Sequence, residues 1–152
     1  MKPTGALACV LSLGFITTGH ACDITYDPKP TWEQMIDEVD VLFLGEVVAI
    51  MPGPTDIGPL AAFRVDRNLK GGVGPRVKAV TEASSCTHGF EIGDRVIFAG
   101  DVYGTEEDTY EARDSGWDPT VVLSDPPTPE QMAQLDYVNK LADEQSTKGA
   151  TK

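Results

Sequence analysis

Ten residues, Val41 to Ile50 (VLFLGEVVAI), leave the backbone few options. Apart from Gly45 and Glu46 they are apolar, and they are rich in β-branched and aromatic side chains. That pattern reads as a strand buried on both faces. Gly45 in the middle marks a bulge or a sharp bend.

The residues around this run supply further strands. Phe63 to Lys70 alternates, with Phe63, Val65 and Leu69 facing in and Arg64, Asp66, Asn68 and Lys70 facing out. Gly71-Gly72-Val73-Gly74-Pro75 forces a turn. Arg76 to Glu82 reads as a third strand. Arg95 to Ala99 reads as a fourth, opened by a tight turn at Gly93. Val121 to Leu123 reads as a short fifth. Two helices flank them. Thr31 and Gln34 form a capping box ahead of a short helix over about 32 to 39, with Trp32, Met35, Ile36 and Val39 on one side. Thr128 caps a second helix with Pro129 in its first position, and Met132, Leu135, Val138 and Leu141 mark its buried stripe. Five strands and two helices predict a mainly β fold, a five-stranded OB-fold barrel with a short N-terminal and a C-terminal helix. The spacing by itself also accommodates a sandwich.

The first 21 residues read as a signal peptide and not as part of the fold. Lys2 precedes an apolar stretch from Ala6 to Ile16, and Gly19 and Ala21 supply the small residues of a cleavage site. A membrane span needs about 20 apolar residues, so no transmembrane span is expected. The expected organisation is a signal peptide over 1–21, one domain over 22–145, and a disordered tail over 146–152. The product is expected to be exported, periplasmic or extracellular.

Lys2 is the one Lys, Arg, Asp or Glu in that leader, so its loss takes the net charge from −12 to −13. Such a surface repels phosphate backbones and anionic lipid, which argues against a nucleic-acid partner. Cys9 leaves with the leader. Cys22 and Cys86 remain, an even number in an oxidising compartment, so a disulfide between them is expected. It closes a loop for which chain entropy gives about 4 kcal/mol as an upper figure.

The ordered set is Cys22 at the processed N-terminus, a short helix ending at Asp40, Val41 to Val48, Phe63-Arg64-Val65 through Leu69-Lys70-Gly71, Ser85-Cys86, and Phe90 to Ala99. It resembles the netrin-module or tissue-inhibitor-of-metalloproteinases superfamily in its bacterial form, over about residues 22 to 100. The resemblance implies an OB-fold barrel and a Cys22–Cys86 bond. It also implies a protein partner, a zinc metalloprotease, whose catalytic zinc is chelated by the α-amino group and carbonyl of Cys22. An open coordination position on such a zinc makes that chemistry sound. Asp23, Ile24 and His88 would then contact the protease. Three positions depart from the family pattern. Ile24 stands where a second cysteine is common, Ser124 stands near the place of a later one, and Asp23 replaces a small residue. A carboxylate at position 23 needs a polar or cationic pocket.

Cys22 thus carries three readings: a structural half-cystine, a zinc-chelating terminus, and a lipid-bearing cysteine that anchors the protein. No catalytic residue is expected. His88 beside Cys86 suggests a nucleophile pair, but a disulfide removes the thiolate. With His20 lost in the leader, the single remaining histidine cannot build a His-rich zinc site, and neither a resident metal nor a cofactor is expected. The stretch 103–119 carries Glu106, Glu107, Asp108, Glu111, Asp114 and Asp118. It reads as a solvated acidic loop in preference to a calcium site, because its spacing matches no EF-hand. Tyr103, Tyr110 and Trp117 in it could form a contact patch.

Overall fold

The computed structural model of the chain describes residues 28, 30–54, 58–80, 89–104, 108–112 and 119–149, the side chains of Ala112 and 146–149 excepted. The elements run α1 (Trp32–Glu38), β1 (Val41–Met51), β2 (Leu60–Lys70), β3 (Arg76–Val80), β4 (Arg95–Val102), β5 (Thr109–Ala112), β6 (Val121–Leu123) and α2 (Pro129–Gly149).

β1 pairs with β2 and also with β4. β3 pairs with β2 and, in parallel, with β5, and β5 pairs with β4. The ring β1-β2-β3-β5-β4-β1 is therefore closed, the five-stranded barrel of the OB type. β6 lies outside the ring, against the end of β4 not used by β5: Arg95 to Ile97 pair with β6, and Gly100 to Val102 with β5.

Both-face burial of β1 follows from this closure. Val41, Phe43 and Val47 point into the barrel with Ala61, Phe63, Val77, Ala79, Phe90, Val96 and Phe98. Leu42 and Leu44 point the other way, into a second core with Ile36, Val39, Leu69, Ile97, Ala99 and Val138. The inner core is built on aromatic rings. Phe43 stacks on Phe98 at 5.0 Å between centroids, and Phe63 meets Phe43 and Phe90 edge-on at 5.4 Å each.

Phe63 and Leu69 have the same parity yet enter different cores. The β1–β2 register shifts between Leu42 and Phe43 and between Leu44 and Gly45. The shift at Gly45 is the bulge that the glycine announced; its extra residue is Asp66, and it turns β2 over between Phe63 and Leu69. A Cβ at Gly45 would lie 2.7 Å from the Arg64 carbonyl oxygen, which explains the glycine.

The helices cover the second core. Thr31 and Gln34 form the expected capping box. Trp32 donates from Nε1 to the Pro119 carbonyl at 2.7 Å and meets Tyr137 of α2 edge-on. At the start of α2, Gln131 Oε1 accepts from the backbone N–H of Thr128 and of Ser124, while its Nε2 donates to the Val122 carbonyl. One side chain thus fastens both the cap and β6. The α2 backbone is helical to Gly149, past the 145 boundary expected from sequence.

Three expectations are corrected. The fifth barrel strand is Thr109–Ala112, within the stretch read as an acidic loop, and Val121–Leu123 is a sixth strand outside the ring. β2 begins at Leu60, three residues before the alternation is visible, because Leu60, Ala61 and Ala62 pair with Met51, Ile50 and Ala49. Met132 is 49% exposed, and Tyr137 takes its expected place on the buried side of α2, against Trp32.

Barrel closure forces close approach at Gly100, where β4 passes from β1 to β5. A Cβ there would lie 2.1 Å from the Glu111 carbonyl oxygen, whereas one at Gly89 meets nothing within 4 Å. Gly100→Ala is expected to cost about 1–3 kcal/mol in urea unfolding and Gly89→Ala less than about 0.5 kcal/mol. Phe63→Ala, which empties the centre of the ring cluster, should cost about 3–5 kcal/mol.

Candidate functional site

The residues singled out for protease recognition, Cys22, Asp23, Ile24, Cys86 and His88, lie outside the described residues. The flanks of the second segment are described. β3 ends at Val80, and the chain resumes at Gly89 and Phe90, whose ring plugs the barrel. Ile92 follows, 69% exposed, at the tip of a turn made by Gly93 at φ 98°. This turn is fastened to β1. Val47 N–H donates to the Asp94 carbonyl at 2.9 Å, and Gly93 N–H donates to the Val47 carbonyl at 2.8 Å. Asp94 closes it by accepting from the Glu91 N–H at 2.7 Å.

Beyond Val47 the β1–β2 register shifts once more, before Ala49. Val48 is the extra residue, and it is 42% exposed. The next rows are in register across three strands. Ala49 faces Ala62, and Ala62 faces Lys78. Two alanines side by side between larger neighbours leave a dent of about 370 Å³ on the outer face of β1–β3. Val48, Met51 and Val77 contribute to its walls, and Arg76, Lys78 and Asp108 are its charged members. No sequence signal announced this depression. It depends on register, which a one-residue bulge resets.

The charges on this face are arranged unequally. Arg64 stands directly opposite Arg76 across β2–β3, a like-charge pair. Arg64 is already engaged, donating to Glu46 at 2.6 Å and to Asp66 at 3.3 Å. Its hydrogen bond to Asp66, and then the charge of Glu46, raise its pKa further above the ordinary guanidinium value. Arg76 and Lys78 are exposed and have no ion-pair partner among the described residues. Asp108 sits at φ 60° just before β5, and its carbonyl accepts from the Lys78 N–H at 2.8 Å.

A second cleft, about 530 Å³, separates the Gly93 turn from the β6–α2 connection and is lined by Asp94, Arg95, Leu123, Ser124, Asp125 and Pro127. Several of its polar groups are committed. Asp94 closes its own turn, Arg95 lies 3.9 Å from Asp66, and Ser124 bonds Gln131.

Of the acidic stretch, Glu106, Glu107, Asp114, Trp117 and Asp118 lie outside the described residues. Tyr110 is corrected: it is a core residue of the barrel and cannot serve as a surface contact. Among the described residues no cluster of three or more His, Cys, Asp or Glu side chains could hold a metal. No described helix is long and apolar enough to cross a membrane. No family model matches the chain, and no curated protein matches it.

Burial, and secondarily the charge of Asp108, pushes the Tyr110 phenol above its ordinary pKa. Burial does the same to Tyr137, reinforced by Asp37, Glu33 and Glu144. A raised phenol pKa means that the native state keeps a proton the unfolded chain has lost. Stability from these groups is therefore complete below about pH 10 and is lost as pH rises through the native value. Phenolate absorbance should show Tyr110 and Tyr137 titrating late. The urea midpoint should fall above about pH 10, less steeply in Tyr110→Phe.

Proposed function

We propose that this is an exported protein-binding module of the netrin or metalloproteinase-inhibitor type, and that it blocks a zinc endopeptidase with its processed N-terminus. The reading rests on the ordered sequence pattern from Cys22 to Ala99. The observation that supports it is the closed barrel of order β1-β2-β3-β5-β4, the fold that pattern implies. Cleavage after Ala21 frees the Cys22 amine. A disulfide to Cys86 would tether it to the segment between β3 and Phe90, and rigidity of that tether lowers the ordering cost of binding. The amine and carbonyl of Cys22 would take the open position on the protease zinc. Asp23, Ile24 and His88 would line the contact, with exposed Ile92 four residues beyond His88 as an apolar neighbour. In this role the protein binds and carries out no catalysis of its own.

Asp23 favours one alternative, a non-inhibitory extracytoplasmic interaction module of the same fold, because a carboxylate enters only a polar or cationic pocket.

The test uses the purified exported protein against zinc endopeptidases. Inhibition is expected, and one alanine added ahead of Cys22 should weaken it more than about a hundredfold, since the amine then lies out of chelating position. Inhibition unchanged by the extension, or none at all, leaves the interaction module. A diacylglycerol adduct on Cys22 by mass spectrometry would block the amine and likewise exclude chelation.

A further inference from the structure

We infer a second binding face, independent of Cys22: the alanine-floored dent on β1–β3 takes an extended acidic segment of a partner protein, with an apolar residue two positions from a carboxylate. The floor is Ala49 and Ala62, and the row continues in register to Lys78. Adjacent strands lie about 4.8 Å apart, so the middle of the alanine pair is about 7 Å from Lys78. Residues i and i+2 of an extended peptide also point the same way about 7 Å apart. An apolar side chain can therefore fill the dent while the carboxylate two residues on reaches Lys78. Arg76, on the same face two residues from Lys78, meets a second carboxylate.

Charge complementarity selects the occupant. The chain carries −12 overall and repels acidic segments elsewhere. On this face Arg76 and Lys78 have no ion-pair partner among the described residues, while Arg64 is held by Glu46 and Asp66. Among the described residues that line the dent, Asp108 offsets one of the two charges and leaves a net single positive charge. A polyanionic sugar or nucleic acid would find two cations, one carboxylate and an apolar floor it cannot use. A peptide uses both parts of the site.

The probe is the capped pentapeptide leucine-serine-glutamate-serine-glutamate, titrated into the full exported protein and followed by backbone amide shifts. Shifts centred on Ala49, Ala62, Arg76 and Lys78 are expected, with Kd at or below about 1 mM at low salt and about fivefold weaker binding in high salt. Ala62→Leu fills the dent without touching charge, and Arg76→Glu with Lys78→Glu reverses the rim. Each should weaken binding at least about tenfold, with amide dispersion showing that the variants fold. Should Ala62→Leu lose its fold, replacing the peptide leucine by alanine must produce the same loss. Four results would overturn the inference: no shifts at this face, equal binding of a peptide with lysines for glutamates, displacement of the peptide by laurate, or tighter binding of heparin to the same amides.

Discussion

The pairing of Val41–Glu46 with Arg95–Gly100 is the constraint on which the rest of the structure depends. It closes the barrel and makes β1 and β4 central strands with cover on both sides. Each sends alternate residues to two cores, Phe43, Val47, Val96 and Phe98 inward and Leu42, Leu44, Ile97 and Ala99 outward. The outward set would face water without α1, α2 and β6. Burial of an apolar side chain is worth about 1.5–3 kcal/mol, so this layer is a large part of the fold's stability. The helices, the Trp32–Pro119 hydrogen bond and the Gln131 fastening all serve it.

The same closure shapes the surface. Once β1 has spent its Val47 amide and carbonyl on the Gly93 turn, its last residues pair with β2 alone among the described elements. The bulge at Val48 then sets Ala49 and Ala62 side by side on the outer face. Bulges are over-represented at barrel rims and beside active sites, and here one extra residue re-aims the neighbouring side chains. Arg64 is neutralised by neighbours on β1 and β2, which leaves Arg76 and Lys78 as the cations of this face without an ion-pair partner among the described residues.

Much of the fold was legible because its strongest signals are local. The Val41–Ile50 run implied burial on both faces, Gly45 implied a bulge, and the caps at Thr31 and Thr128 fixed two helix starts within a residue. β5 was not legible. Its Thr-Tyr-Glu-Ala is four residues long, lies among acids, and becomes a strand by completing the ring between β3 and β4. Tyr110 looked like a surface aromatic for the same reason. Met132 misled because it has the right helical spacing, whereas the face of α2 packed on the second core is Leu135, Tyr137, Val138, Leu141 and Ala142. Of the candidate sites, the N-terminal one rests on cysteine arithmetic and an ordered pattern, both readable in sequence. The β1–β3 dent rests on cross-strand register, which no spacing rule along one chain reveals.

Amide hydrogen exchange in the native protein tests the closure most directly. If β1 and β4 are the doubly covered seam, the amides of Leu42 to Leu44 and Val96 to Ala99 that lie in the ladder exchange slowest, at the rate of global unfolding. Slowest exchange in the β2–β3 hairpin, with β1 and β4 amides exchanging at loop rates, would show an open sheet and contradict the account.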